Sequence, residues 1–257
     1  MTITDPRQVT DWAKVLLAPN PGPMTLDGTN SYLLAAPGAA SAIVVDPGPA
    51  DSAHLQSLAA AGPVELILIT HRHHDHTEGA PELARLTGAP VRAADPDYCI
   101  DGVPLRDEEI ILAAGVEVRV LATPGHTTDS VSFLLPADGP TGSVLTGDTI
   151  LGRGTTVIAP PDGSLRDYLQ SLDRLSGLGP AAVLPAHGPQ LADVSAVSAE
   201  YLAHREQRLT AIRAALNELG QDASVQAVTD AVYHDIDPSV RLAAEHSVAA
   251  QLEYLRS

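Results

Sequence analysis

The run Thr70-His71-Arg72-His73-His74-Asp75-His76-Thr77-Glu78-Gly79 packs four imidazoles and a carboxylate into six consecutive positions. Directly before it lies Val64-Glu65-Leu66-Ile67-Leu68-Ile69, an apolar run that reads as a buried strand. Neutral imidazole nitrogen and carboxylate oxygen are the ligands a zinc-like cation accepts. In extended backbone His71 and His73 project to one side, because side chains alternate with a period of two. Asp75 and His76 follow as the chain turns, and so aim at a second, adjacent position. The same alternation turns Arg72 and His74 away, which leaves His74 as a spacer or a supporting donor. The dull alternative is a solvated loop that holds histidines by chance. Four ligand-type residues at this spacing, on a strand end, speak against it.

Three more residues repeat the signature further along. His126 lies in Thr123-Pro124-Gly125-His126-Thr127, just past Val116–Leu121. Asp148 lies in Thr146-Gly147-Asp148-Thr149, after Ser143-Val144-Leu145. His187 lies in Pro185-Ala186-His187-Gly188-Pro189, after Ala181–Leu184. Each follows an apolar strand and is flanked by Gly or Pro, which lets the backbone turn sharply. Any one of these histidines alone would be an ordinary loop residue. In this order, behind the first cluster, they are candidate ligands. His54, His204, His234 and His246 lack ligand-type neighbours and read as surface or structural histidines. Thr29 and Asn30 read either as turn residues or as supports for the site from a facing loop.

The order His-x-His-x-Asp-His, Gly-His, Gly-Asp and a late His-Gly resembles the metallo-β-lactamase superfamily of binuclear metal hydrolases. The resemblance spans roughly residues 13–190. It implies an α/β fold, the αββα sandwich, and two divalent ions, zinc in the first place with manganese as the alternative. It implies that His71, His73 and His126 hold one ion, that Asp75, His76 and His187 hold the other, and that Asp148 bridges them. Two such ions ~3.5–4 Å apart share a water and lower its pKa from ~15.7 toward ~7. Asp75 is then the expected catalytic residue, accepting or orienting the nucleophile's proton while it ligates metal.

A closer likeness lies in Pro21–Asn30, Gly147–Thr156 and Tyr201-Leu202-Ala203-His204-Arg205. These are similar to the branch that contains β-lactamase-like endoribonucleases with a winged-helix-like tail. The resemblance therefore implies cleavage of single-stranded RNA. Hydrolysis of a small thioester or acyl substrate, in the manner of glyoxalase II, is the second expectation. Sulfur oxidation on a single iron and a non-catalytic metal scaffold are disfavoured by the full ligand set. Only 38 residues lie between Asp148 and His187, too few for a large inserted domain.

Composition constrains the substrate. The formal charge is −17 and Lys14 is the only lysine. Nucleic-acid affinity draws on clustered Lys and Arg against phosphates, and an acidic surface repels a polyanion at long range. A small or weakly charged substrate is the simpler expectation from charge alone. The one cysteine, Cys99, excludes an internal disulfide and reads as an ordinary thiol. Met1–Pro6 shows neither a basic start nor an apolar stretch of signal type, and no apolar run nears the ~20 residues a bilayer demands. A cytoplasmic protein without membrane contact is expected.

The elements that must position these side chains are strands at 14–17, 31–35, 42–46, 64–70, 90–93, 109–112, 116–121, 130–135, 143–147 and 181–185. Helices are expected at 51–61, 78–87 and 165–177, the last capped by Ser164 with Asp167 completing a capping box. Residues 1–193 read as the catalytic domain and 194–257 as a helical, winged-helix-like domain. In that tail Tyr201, Arg205, Leu209, Ile212 and Leu216 recur at threes and fours. Further helices are expected at 224–233 and 238–255. The tail is acidic, so a cap on the catalytic domain or a homodimer face is favoured over a nucleic-acid module.

Overall fold

The structure, a computed structural model, describes residues 5–257; Met1–Thr4, part of the stretch read as lacking a signal, lie outside the described residues. In chain order the strands are β1 (Arg7–Gln8), β2 (Ala13–Leu17), β3 (Asn30–Leu34), β4 (Ala42–Val45), β5 (Val64–Leu68) and β6 (Val91–Arg92). They continue as β7 (Ile110–Ala113), β8 (Val116–Ala122), β9 (Val131–Leu135), β10 (Ser143–Gly147) and β11 (Ala182–Pro185). The helices are α1 (Ser52–Ala60), α2 (His74–Thr77), α3 (Ala80–Thr87), α4 (Leu165–Ser176), α5 (Val194–Leu219), α6 (Val225–Val232) and α7 (Arg241–Arg256).

The strands form two sheets, ordered β1-β2-β3-β4-β5-β6 and β11-β10-β9-β8-β7. In the first, β4, β5 and β6 run parallel and the remaining pairs antiparallel; in the second, only β10 and β11 are parallel. Alternation along the strands sends Val15, Tyr32, Val45 and Leu68 from one sheet against Val118, Phe133, Leu145 and Leu184 of the other. The outer face of the first sheet packs Val44, Ile67 and Ile69 on Leu55, Leu58 and Leu83 of α1 and α3. The outer face of the second packs Val144 and Val183 on Tyr168 and Leu172 of α4 and on Tyr201 and Leu209 of α5. The layers are therefore helix, sheet, sheet, helix.

Local departures from the expected elements have physical causes. The helix expected at 78–87 is broken at Gly79, whose N–H donates to the Gly48 carbonyl at 2.9 Å, and Pro81 starts the next turn. A separate turn, α2, begins directly after His73, so Asp75 and His76 sit on helix. At α4 the Ser164 hydroxyl accepts from the Asp167 N–H, but the Ser164 N–H donates to the Gly125 carbonyl; only half a capping box forms. β1 is two residues long, too short to show a period.

The tail is helical throughout: no strand follows β11 among the described residues, so no wing is present there. Tyr201, Arg205, Leu209, Ile212 and Leu216 are all buried on one side of α5. No helix of the described residues is long and apolar enough to cross a membrane.

Candidate metal centre

The residues singled out by spacing converge at one end of the sandwich, beyond the C-terminal ends of β5, β8, β10 and β11. The β5 strand delivers His71 and His73, and α2 delivers Asp75 and His76. His126, Asp148 and His187 come from the turns after β8, β10 and β11. Two groups form: His71, His73, His126 and Asp148 in one, and Asp75, His76 and His187 in the other, with ligand-type atoms within 4.8 Å of one another in each. His71 Nε2 and His126 Nε2 stand 3.0 and 2.9 Å from His73 Nδ1. Asp75 Oδ2 lies 3.3 Å from His76 Nε2 and 3.1 Å from His187 Nε2. Asp148 spans the groups. Its Oδ2 is 3.5 Å from His126 Nε2, and its Oδ1 is 3.3 Å from His187 Nε2 and 3.7 Å from His76 Nε2.

The outward faces of four of the five rings explain their inward ones. His126 Nδ1 donates to the Val157 carbonyl at 2.9 Å, and His187 Nδ1 to the Gly28 carbonyl at 3.1 Å. His76 Nδ1 donates to Asp46 Oδ2 at 2.9 Å. His71 Nδ1 faces the Thr70 hydroxyl at 3.1 Å, which itself donates to Asp46 Oδ2 at 2.7 Å. Bonds of this kind hold the Nδ1 proton outward and leave Nε2 facing inward. His76 Nε2, His187 Nε2 and Asp148 Oδ1 are buried and have no hydrogen-bond partner. Buried polar atoms are rarely left so, and lone pairs converging from seven side chains are what a cation satisfies.

Burial drives the His71 imidazole well below its ordinary pKa, and the neighbouring rings add to the effect. Burial and the facing His126 bring His73 down to about 4. Both are neutral donors at neutral pH. On the other side burial opposes charge, but ring and carboxylate stabilise one another. His76 is held well above the usual imidazole value by Asp75 and Asp46 against that burial, and His187 is raised by Asp148 and Asp75. Asp75, against the desolvation it suffers, is held far below the usual carboxylate range by His76 and His187.

Asp46 is the residue the spacing argument missed. It directly follows β4, is 2% exposed, and also accepts from the Thr70 N–H at 2.8 Å. It thereby steadies one ring in each group. Its signal was there: Val45-Asp46-Pro47-Gly48 is a strand followed by a carboxylate and a turn pair, as at the other positions. Gly147 permits the approach, because a Cβ there would lie 2.8 Å from Thr70 Oγ1.

The remaining candidates fall into place around this centre. His74 projects into solvent, its side chain 87% exposed, with Glu78 at 3.9 Å as its nearest charge. Arg72 turns away to pair with Asp162 and, at 3.6 Å, with Asp95. Thr29 Oγ1 reaches Asp75 Oδ2 at 3.4 Å, and the Asn30 amide ties the Pro185 and Gly188 carbonyls on either side of His187. Both residues of that turn support the site. His54 is buried against the Ser31 hydroxyl at 2.9 Å, a structural histidine. Cys99 is a half-buried free thiol beside the Ala93 carbonyl.

An αββα sandwich with a histidine–carboxylate centre at one end of its strands defines a class of metal-site proteins. The pattern of the metallo-beta-lactamase superfamily matches residues 24–187, and the chain belongs to that superfamily. The chain is 34% identical over 96% of its length, and 85% of the relative's, to the "Beta-lactamase-like protein 2 homolog" of Caenorhabditis elegans. It is 31% identical over 80% of its length to the "Atrochrysone carboxyl ACP thioesterase" of Aspergillus fumigatus, of which it spans 65%. A metallo-beta-lactamase family protein from Thermus thermophilus superposes with a TM-score of 0.78 at 26% identity, covering 95% of this chain and 93% of that one.

Proposed function

We propose that the chain is a hydrolase built on two divalent ions, one on His71, His73 and His126, the other on Asp75, His76 and His187, with Asp148 between them. The observation that carries this is the division of the Asp148 carboxylate, one oxygen toward each group, beside the buried His76 and His187 Nε2 atoms that have no hydrogen-bond partner. When bound, such ions lower the pKa of a shared water and stabilise the charge that grows on the attacked oxygen. Zinc is the first expectation and manganese the second. The chain's own part is to aim the ring nitrogens inward, with His71 and His73 held neutral, and to keep Asp75 ionised. Asp75, 27% exposed at its side chain, is the carboxylate placed to meet a proton released near the opening.

For the substrate we favour a small acyl ester or thioester. The charge of −17 and the acidic helical tail repel a polyanion at long range, and one relative is named as a thioesterase. Cleavage of single-stranded RNA is the second reading. What favours it is that Pro21–Asn30 and Gly147–Thr156, which carry the likeness to the endoribonuclease branch, both border the centre through Thr29 and Asp148. The test measures metal content, then compares turnover of a thioester, an ester and a single-stranded RNA before and after chelation. Two equivalents of metal and chelator-sensitive thioester turnover are expected. A chain that takes up no divalent metal refutes the hydrolase reading, and turnover of RNA alone reverses the order of substrates.

A further inference from the structure

Helix α5 belongs to the tail, yet two of its side chains reach the segment between Asp148 and Val157. The Tyr201 hydroxyl accepts from the Leu151 N–H at 3.1 Å and faces the Gly154 carbonyl at 2.9 Å. One turn further, Arg205 is 3% exposed and donates from Nη2 to the Thr156 carbonyl at 2.5 Å. Its guanidinium lies over the Tyr168 ring, 5.0 Å from the centroid, and its Nε is buried without a partner.

That segment touches two of the candidate ligands from behind. The Thr156 hydroxyl donates to the Asp148 carbonyl, and the next residue, Val157, accepts the Nδ1 proton of His126. Tyr168 donates to the Thr149 carbonyl at 2.7 Å. Tyr168 also backs the His126 turn so closely that a Cβ on Gly125 would come within 2.3 Å of it. A guanidinium held in the interior by a carbonyl and a ring face, with no carboxylate, is a costly filler. An apolar side chain of equal length would fill the space without burying a charge. What only the guanidinium supplies is a fixed donor to the Thr156 carbonyl.

We infer that Arg205 and Tyr201 are positioning residues that make the tail helix part of the metal centre. They fix residues 151–157 so that Val157 keeps the His126 lone pair turned inward and Asp148 stays between the two groups. The consequence for metal rests on the hydrolase reading; the tether itself does not. The tail is then a component of the site, and its removal cannot be neutral for any substrate.

The test uses the full chain with Arg205→Met, Arg205→Lys and Tyr201→Phe. Three readouts are taken: amide hydrogen exchange across residues 148–157 without metal, the visible spectrum and chelator-competed affinity of cobalt(II), and kcat against KM. Arg205→Met is expected to exchange at least ~10-fold faster in that segment. It should bind cobalt ~10–100-fold more weakly, in line with loss of a ligand-orienting contact, and lose kcat with KM little changed. Arg205→Lys, whose ammonium can still meet a carbonyl, is expected to recover part of each effect. A folded Arg205→Met with wild-type exchange and cobalt spectrum overturns the proposal. Should that variant fail to fold, Tyr201→Phe removes one oxygen and keeps the ring, and wild-type behaviour there overturns it equally. If the wild-type chain takes up no cobalt, the hydrolase reading falls, and exchange in the metal-free chain still decides the tether.

Discussion

Replacing Asp46 by Asn tests whether the metal centre depends on a carboxylate that touches no metal. One Asp46 oxygen accepts the Thr70 N–H, and the other accepts both the Thr70 hydroxyl and His76 Nδ1–H. Asn is nearly the same shape and tolerates the left-handed φ of 50° at this position. It has one acceptor oxygen where three donors converge. If its oxygen keeps the Thr70 N–H, its NH2 faces His76. The ring can then accept only by moving its proton to Nε2, where it blocks the inward lone pair. Reversing a tautomer or orphaning a buried donor costs about 1–3 kcal/mol, which is ~5–150-fold in binding. The expected outcome is therefore a ~10–100-fold loss of metal affinity by chelator competition, with the fold retained by circular dichroism. Nitrogen NMR of the metal-free variant should show His76 Nδ1 without its proton. Asp46→Ala should do worse, since it orphans all three donors and places a Cβ residue without side-chain compensation at positive φ. Wild-type metal affinity in a folded Asp46→Asn would refute the argument.

Three further outcomes follow from the same geometry. Asp75→Asn should stay folded and lose ~10²–10⁴ in kcat on the best substrate found, because on the proposed mechanism the variant loses both a proton acceptor and a charged ligand. His74→Ala, by contrast, should keep metal content and turnover within about twofold, since that ring stands in solvent; a loss like that of His71→Ala would show the alternation argument to be wrong. His54 gives a pH effect on stability. Burial lowers it to about 4 in the folded chain, so the unfolded chain binds the extra proton below ~6.5 and stability falls as pH drops from there toward 4. At pH 5 this amounts to about 2 kcal/mol. Denaturant titrations of wild type and His54→Gln at pH 7 and pH 5 should differ in their pH dependence by that amount, and equal slopes would exclude His54 as a source of acid sensitivity.

The seven candidate side chains were legible because the features that assemble them are local. Each stands close behind an apolar strand end, in a turn rich in Gly or Pro or in the histidine run itself, and strand ends on one side of a sandwich must meet. Asp46 carries the same local signature, but a single carboxylate after a strand has no partner nearby in sequence; its partners, Thr70 and His76, are 24 and 30 positions away. The separation of α2 from α3 depended on a contact between Gly79 and the Gly48 carbonyl, which no periodicity encodes. The winged-helix expectation came from likeness alone, and the tail's own pattern, three helical stretches and no alternating run, matches the helices observed.

The tail shows most clearly where a pattern stops being informative. The threes-and-fours stripe of α5 gave the buried face correctly, Arg205 included, but a stripe states only that a residue faces inward. It cannot say whether inward means core or site. Here both hold. Val194 and Leu209 join the core against the second sheet, and each fully buried apolar side chain of this kind contributes about 1.5–3 kcal/mol. Tyr201 and Arg205, between them on the same face, direct their polar atoms to the loop that carries Asp148. On the inference drawn above, a helix whose apolar residues close the core and whose polar residues hold residues 151–157 acts as part of the site. Cutting the chain at residue 193 would expose the α4 face and release residues 151–157 together, so a difference between substrates in such a truncation would say nothing about which of them the tail recognises.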